Sequence, residues 1–90
     1  MALTNFEHDI LTALMRLLME TSGGALRHEL SCFLGRPVSA RALYAALGRL
    51  AERRYVSVRW GEAPEAPGRR PTRMISLRAA GLRAIGRRIN

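Results

Sequence analysis

Arginine is the residue type with the most chemistry to offer in this sequence. All fifteen basic residues are arginine, against seven acidic residues, for a net charge of +8. A guanidinium is a planar fork of donors that matches phosphate oxygens and the O6/N7 edge of guanine. GC-rich coding also favours arginine over lysine, but it does not account for the net charge. The charge is unevenly placed. Residues 1–35 hold two arginines against four acidic residues, a net −2, and residues 36–90 hold thirteen arginines against three glutamates, a net +10. This asymmetry predicts a polyanion, either nucleic acid or an anionic membrane, bound by the later part of the chain.

Catalytic and metal chemistry find no comparable support. His8 and His28 are the only histidines and fall on separate predicted helices. The spacing of His28, Glu29 and Cys32 matches no standard zinc site, and no second cysteine follows. The sequence contains neither a glycine-rich phosphate loop nor a nucleophile elbow. A protein that is not an enzyme, with no cofactor and no metal, is expected. Cys32, alone and within an apolar helical stretch, reads as a small core residue. His8, beside Asp9, reads as exposed.

The elements that must position the arginines are legible from periodicity. Ninety residues, 48% of them hydrophobic, make a single domain spanning 1–90. Thr4-Asn5-Phe6-Glu7 reads as a capping box opening a first helix over about 5–20, with Phe6, Ile10, Ala13, Leu14, Leu17 and Leu18 at helical spacing. Thr21-Ser22-Gly23-Gly24 should stop it. A second helix follows at about 25–34, with Leu26, Leu30, Phe33 and Leu34 on one face, Gly35 as its C-cap and Pro37 barring continuation. Ser39 is a good N-cap for a third helix over about 40–53, whose buried stripe is Leu43, Ala46, Leu47 and Leu50.

Tyr55–Trp60 alternates and is rich in β-formers, and Thr72–Leu77 reads as its partner strand. The Pro/Gly-rich connection between them carries Arg69 and Arg70, which makes a hairpin with a long basic tip. A short helix over about 79–89 closes the chain, with Leu82, Ile85 and Ile89 inward and Arg83, Arg87 and Arg88 outward. The predicted fold is therefore mainly α with a small β-hairpin: a winged helix-turn-helix of three helices, a two-stranded wing and a short C-terminal helix. No apolar run approaches the ~18 residues that a membrane span needs. The first residues lack the basic region and apolar core of a signal peptide. No membrane association and a cytoplasmic location are expected.

Within this frame the third helix carries the surface of a recognition helix. Ser39, Arg41, Tyr44 and Ala45 lie on its exposed early turns, with Arg49 at its flank. Arg41 suits a guanine edge, Ala45 a thymine methyl and Tyr44 a phosphate. Gly48, costly in mid-helix by ~1 kcal/mol relative to Ala, reads equally as room for a DNA strand or another helix to approach and as a glycine merely tolerated there. Arg69, Arg70 and Arg73 in the hairpin suit a narrow, negative minor groove. Arg53 and Arg54 complement the dipole at the end of the third helix and also suit phosphate. The last helix is basic and amphipathic, but its short length and narrow apolar stripe fit domain packing better than a membrane surface.

The run Leu34-Gly35-Arg36-Pro37-Val38-Ser39-Ala40-Arg41-Ala42-Leu43-Tyr44-Ala45-Ala46-Leu47-Gly48-Arg49-Leu50 resembles the signature of the PadR family, a Gly-x-x-Val-Ser turn followed by a helix bearing Leu-Tyr and Arg-Leu. Gly61-Glu62 through Gly68-Arg69-Arg70, then Leu77 and Gly81-Leu82, resembles that family's wing and the start of its last helix. The resemblance runs from about residue 6 to 86. It implies a bacterial winged helix-turn-helix repressor that binds double-stranded DNA at a palindromic promoter site as a homodimer. It also implies that Ser39, Arg41 and Tyr44 face DNA and that Arg69, Arg70 and Arg73 lie in the wing.

The sequence departs from the family pattern at several points. Arg54 stands where a glycine usually ends the third helix, which predicts strain at that turn. Met74-Ile75 replaces an aromatic pair, and Arg78 a capping threonine. The sequence ends at Asn90, short of the longer last helix of many members, so dimer contacts are expected on the first and last helices, with Met15 and Met19 as candidates. Some members bind flat aromatic effectors at the dimer interface; here Trp60 lies in the wing strand and no residue pattern marks such a pocket. Two other readings of the residues stand beside this one: a non-specific or architectural DNA binder, and a winged helix that serves as a protein-interaction module.

Overall fold

A computed structural model describes residues 2–61 and 72–89, with side chains through residue 86. The chain runs α1 (Asn5–Leu17), β1 (Thr21–Ser22), α2 (Gly23–Leu34), α3 (Ala40–Glu52), β2 (Val56–Trp60), β3 (Arg73–Leu77) and α4 (Ala79–Ile89). The local signals explain most of these boundaries. Thr4 caps α1 reciprocally: its hydroxyl accepts from the Glu7 backbone N–H at 3.1 Å, and its own N–H donates to Glu7 Oε1 at 2.9 Å. Ser39 caps α3 by accepting from the Ala42 N–H at 3.1 Å. Gly35 ends α2 in the left-handed region, at φ 68°.

Two termini differ from expectation, and a third bears out the strain expected at Arg54. α1 stops at Leu17 rather than near residue 20, because Leu18 turns left-handed at φ 65° and returns its N–H to the Leu14 carbonyl. Thr21 and Ser22 do not act as a helix stop. They form a short strand, and the Ser22 hydroxyl caps α2, which therefore begins at Gly23, two residues before its predicted start. α3 closes in a Schellman pattern, with Tyr55 N–H on the Leu50 carbonyl and Arg54 N–H on the Ala51 carbonyl, each at 3.0 Å. Arg54 occupies the left-handed position of that motif at φ 62°, where glycine would be relaxed.

The hairpin pairs antiparallel from Val56↔Leu77 to Trp60↔Arg73, and Gly61 N–H donates to the Thr72 carbonyl beyond its last pair. β1 adds to the other edge of β3 (Thr21↔Ile75 and Ser22↔Met74), so the sheet has three strands in the order β1-β3-β2. A two-residue strand is too short to show alternation, and the sequence therefore gave no sign of it.

The core is a layer of aliphatic side chains where the helices meet the sheet: Ile10, Leu11 and Leu14 of α1, Leu26 and Leu30 of α2, Leu43, Leu47 and Leu50 of α3, Val56 and Ile75 of the sheet, and Ile85 of α4. Each such side chain contributes roughly 1.5–3 kcal/mol by leaving water. Three expectations about burial are corrected. Cys32 is exposed, because α2 buries Leu26 and Leu30 and a residue two steps beyond Leu30 points away from that line. Leu82 is half exposed, and Gly81, Ala84 and Ile85 make the inward face of α4 instead. The cause is close packing: a Cβ at Gly81 would overlap the Tyr55 carbonyl and the Leu77 side chain, so α4 rests on the α3–β2 corner by its glycine. His8 is half-buried rather than exposed, with Nε2 cut off from solvent.

Candidate nucleic-acid interface

α3 buries Leu43, Ala46, Leu47 and Leu50, and so turns Arg41, Ala45, Gly48 and Glu52 outward along a single exposed strip. The middle of the strip is low. Ala45 has only a methyl, and nothing lies within 4 Å of where a Cβ on Gly48 would stand. Arg41 rises from the first turn. Ser39 sits just before it, exposed, its oxygen engaged in the cap and its hydroxyl proton still available to donate. The turn that leads into α3 is braced by α2: Arg27 Nε donates to the Val38 carbonyl at 2.6 Å, and Val38 N–H donates to Ser31 Oγ at 3.2 Å.

Each flank of the strip is tied to a different part of the fold. On one side Arg49 Nε donates to Glu7 Oε2 at 3.1 Å, which fastens the recognition surface to the first turn of α1. The Glu7 residue is only 4% exposed. Burial pushes its carboxyl up, but the Thr4 backbone N–H, the Arg49 guanidinium and the Thr4 hydroxyl together outweigh that effect and hold it below the usual glutamate value. Arg49 itself keeps about half of its side chain in solvent.

On the other side Tyr44 is half-buried. Its ring lies so close to Gly23, the first residue of α2, that a Cβ there would overlap the phenol hydroxyl. The Arg73 guanidinium lies over the Tyr44 ring at 4.5 Å from its centroid, and over the Trp60 ring at 5.0 Å. Arg73 and Trp60 are cross-strand partners, so the base of the hairpin is stacked onto α3 through one guanidinium. On the outer part of the sheet, Arg59 forms a two-pronged ion pair with Glu20, with Nε to Oε2 at 2.8 Å.

The structure thus places Ser39, Arg41 and Ala45 together on the open face of α3. Tyr44 and Arg73 are stacked on one flank, and Arg49 is held on the other. Arg69 and Arg70 lie outside the described residues. Sequence reasoning did not single out Glu7 as a partner of Arg49, Gly23 as the seat of Tyr44, or Trp60 as the second face of the Arg73 stack. A Trp60↔Arg73 register could have exposed the last of these, but the long connection between the strands left the register unset. Among the described residues no cluster of three metal-ligating side chains occurs, and no helix is long and apolar enough to cross a membrane.

No protein-family model matches this sequence, and no curated protein is significantly similar to it. Solved structures are similar in fold. RosR of H. salinarum is 28% identical, with a TM-score of 0.75 over 97% of this chain and 71% of that one. PadR of Bacillus subtilis, solved in complex with operator DNA, is 17% identical, with a TM-score of 0.77 over 94% of this chain; the match spans 46% of PadR. A winged-helix DNA-binding protein from STIV is 20% identical, with a TM-score of 0.69 over 91% of this chain and 80% of that one. These structures share the winged-helix fold with this chain, in which β1 is the third strand beside the wing hairpin.

Proposed function

We propose that this PadR-like winged helix is a DNA-binding transcription regulator, a repressor that occupies a palindromic promoter site as a homodimer in the cytoplasm. The observation that carries this reading is the open strip of α3. It is a convex helix face with a low centre at Ala45 and Gly48, an arginine on its first turn, and flanks fastened to α1 and to the wing base. A major groove admits one helix of this kind and is read by side chains near its N-terminus. Arg41 reads a guanine and Ala45 contacts a thymine methyl. Ser39, Arg49 and the Tyr44 hydroxyl bind phosphates, and Arg69 and Arg70 supply the wing's charge. Arg73 also adds charge beside the backbone. The protein acts by occupancy, and no step of catalysis is involved.

On this reading the second copy covers exposed apolar side chains that follow α1 and lie on α4: Leu18 is 87% exposed, Met19 76% and Leu82 50%. Met15, the other expected contact, packs against the core and is left to that role.

The test is fluorescence anisotropy of labelled duplex from the protein's own promoter, titrated at two salt concentrations beside a random duplex. Preference for the promoter by about 10³-fold or more, kept at the higher salt, is the expected result. Equal, salt-sensitive binding to both duplexes would replace this reading with an architectural DNA binder. Absence of binding to either would replace it with a protein-interaction module.

A further inference from the structure

The stack at the wing base has a role that neither groove contact nor core packing describes. Arg73 is half-buried, and its guanidinium is covered by Tyr44 at 4.5 Å and by Trp60 at 5.0 Å. Tyr44 belongs to α3, whereas Trp60 and Arg73 are a cross-strand pair at the end of the hairpin nearest its tip. Arg73 is thus a bridge between the two elements that must meet DNA together. The hairpin's other ties among the described residues lie elsewhere: Val56 and Ile75 pack into the core, β1 pairs with β3 and Arg59 pairs with Glu20, while Val58 and Trp60 stay partly in solvent. Tyr44 is in turn seated on Gly23, so the stack continues into the first turn of α2.

We propose that Arg73 is a positioning residue for DNA recognition: the Tyr44–Arg73–Trp60 stack sets the angle of the wing against α3 and aims the Tyr44 hydroxyl, so that helix and wing engage DNA as one preset surface. This rests on the DNA-binding reading above. It assigns Trp60, a residue with no base to read, a part in specificity, and it gives Arg73 a role that charge alone does not fill. Two guanidinium–ring contacts act in series, so breaking either releases the same junction between the outer end of the hairpin and α3, and the effects of breaking both do not add.

The stack is tested on the full chain, first without DNA. Trp60 is the only tryptophan, so its emission reports the stack directly. Arg73→Gln and the charge-preserving Arg73→Lys are both expected to make Trp60 more open to acrylamide quenching at unchanged helical circular dichroism. Quenching identical to wild type in both variants would overturn the proposal, whether or not the protein binds DNA. The DNA arm then compares Arg73→Gln, Trp60→Leu and the double variant on the preferred duplex. Each single variant is expected to lose roughly five- to tenfold in affinity, and the double variant no more than either single one. An unaltered Trp60→Leu beside an Arg73→Gln variant that loses affinity and about one unit of salt slope would identify Arg73 as a phosphate contact and overturn the positioning role. Failure of the wild type to bind any duplex would instead overturn the DNA-binding reading, while the quenching arm still decides the stack.

Discussion

Single residues separate reading from holding. Arg41 stands on the exposed strip of α3 with its neighbours Ala45 and Gly48 offering no obstruction. Arg41→Ala should therefore relax base preference by about 1–3 kcal/mol at one position while leaving the salt slope close to wild type; competition titrations with single-base variants of the preferred site measure it. Glu7 is the opposite case, a carboxylate that meets no ligand. Its folded pKa is depressed below the unfolded one, so the stability it contributes is present above the unfolded value of about 4.3 and disappears as pH falls through the lower folded value. Glu7→Gln should be less stable than wild type at neutral pH, and the gap should narrow as the pH is lowered past 4, as seen in urea unfolding at stepped pH. Arg54 holds a left-handed φ of 62° at the end of α3. Arg54→Gly should remove a left-handed strain of about 1–2 kcal/mol, more than the ~0.5–1 kcal/mol that glycine's freedom in the unfolded chain costs, and raise Tm by a few degrees in a thermal melt followed by circular dichroism.

Elements carry the next level of argument, and there glycine matters by what it lets approach. Gly81 admits the Tyr55 carbonyl between α4 and the α3–β2 corner. Gly81→Ala is expected to cost about 1–3 kcal/mol through forced displacement of α4, which urea unfolding would register. The helices and the hairpin were readable in advance, because capping boxes, aliphatic stripes and β-rich alternation are local signals and each was strong here. Four helices and two strands fall within two or three residues of expectation. What stayed hidden depends on partners far away in the chain. β1 exists only because β3 is beside it, and Leu82 faces water only because Gly81 is needed at the corner. Glu7 and Arg49 are forty-two positions apart and meet only once α1 and α3 have packed. The open face of α3 was legible, since helical periodicity separates the buried stripe from it. The division of Tyr44, Arg49 and Arg73 into tethered flanks was not, since periodicity says which face a side chain occupies and nothing about what lies opposite.

At the scale of the whole molecule the distribution of charge and of exposed apolar surface makes two demands. The net +10 of residues 36–90 means that binding to duplex DNA should weaken steeply with salt, with a log–log slope that reports how many phosphates are neutralised. The exposed Leu18, Met19 and Leu82 should lie in the subunit contact. Met19→Glu combined with Leu82→Glu is expected to move the protein from dimer to monomer in sedimentation velocity and to weaken binding to a palindrome far more than to a half-site. Beneath both lies a connection made by one residue. Ser22 is the last residue of β1, paired with Met74 of the wing, and its hydroxyl is also the cap of α2. Peeling the hairpin away from β1 would therefore uncap the helix that braces the turn before α3. The wing is not a flap that can swing while the helices stand still; it opens only with the first turn of α2, and the amides of Thr21–Ala25 and of β3 should exchange with deuterium as a single cooperative unit.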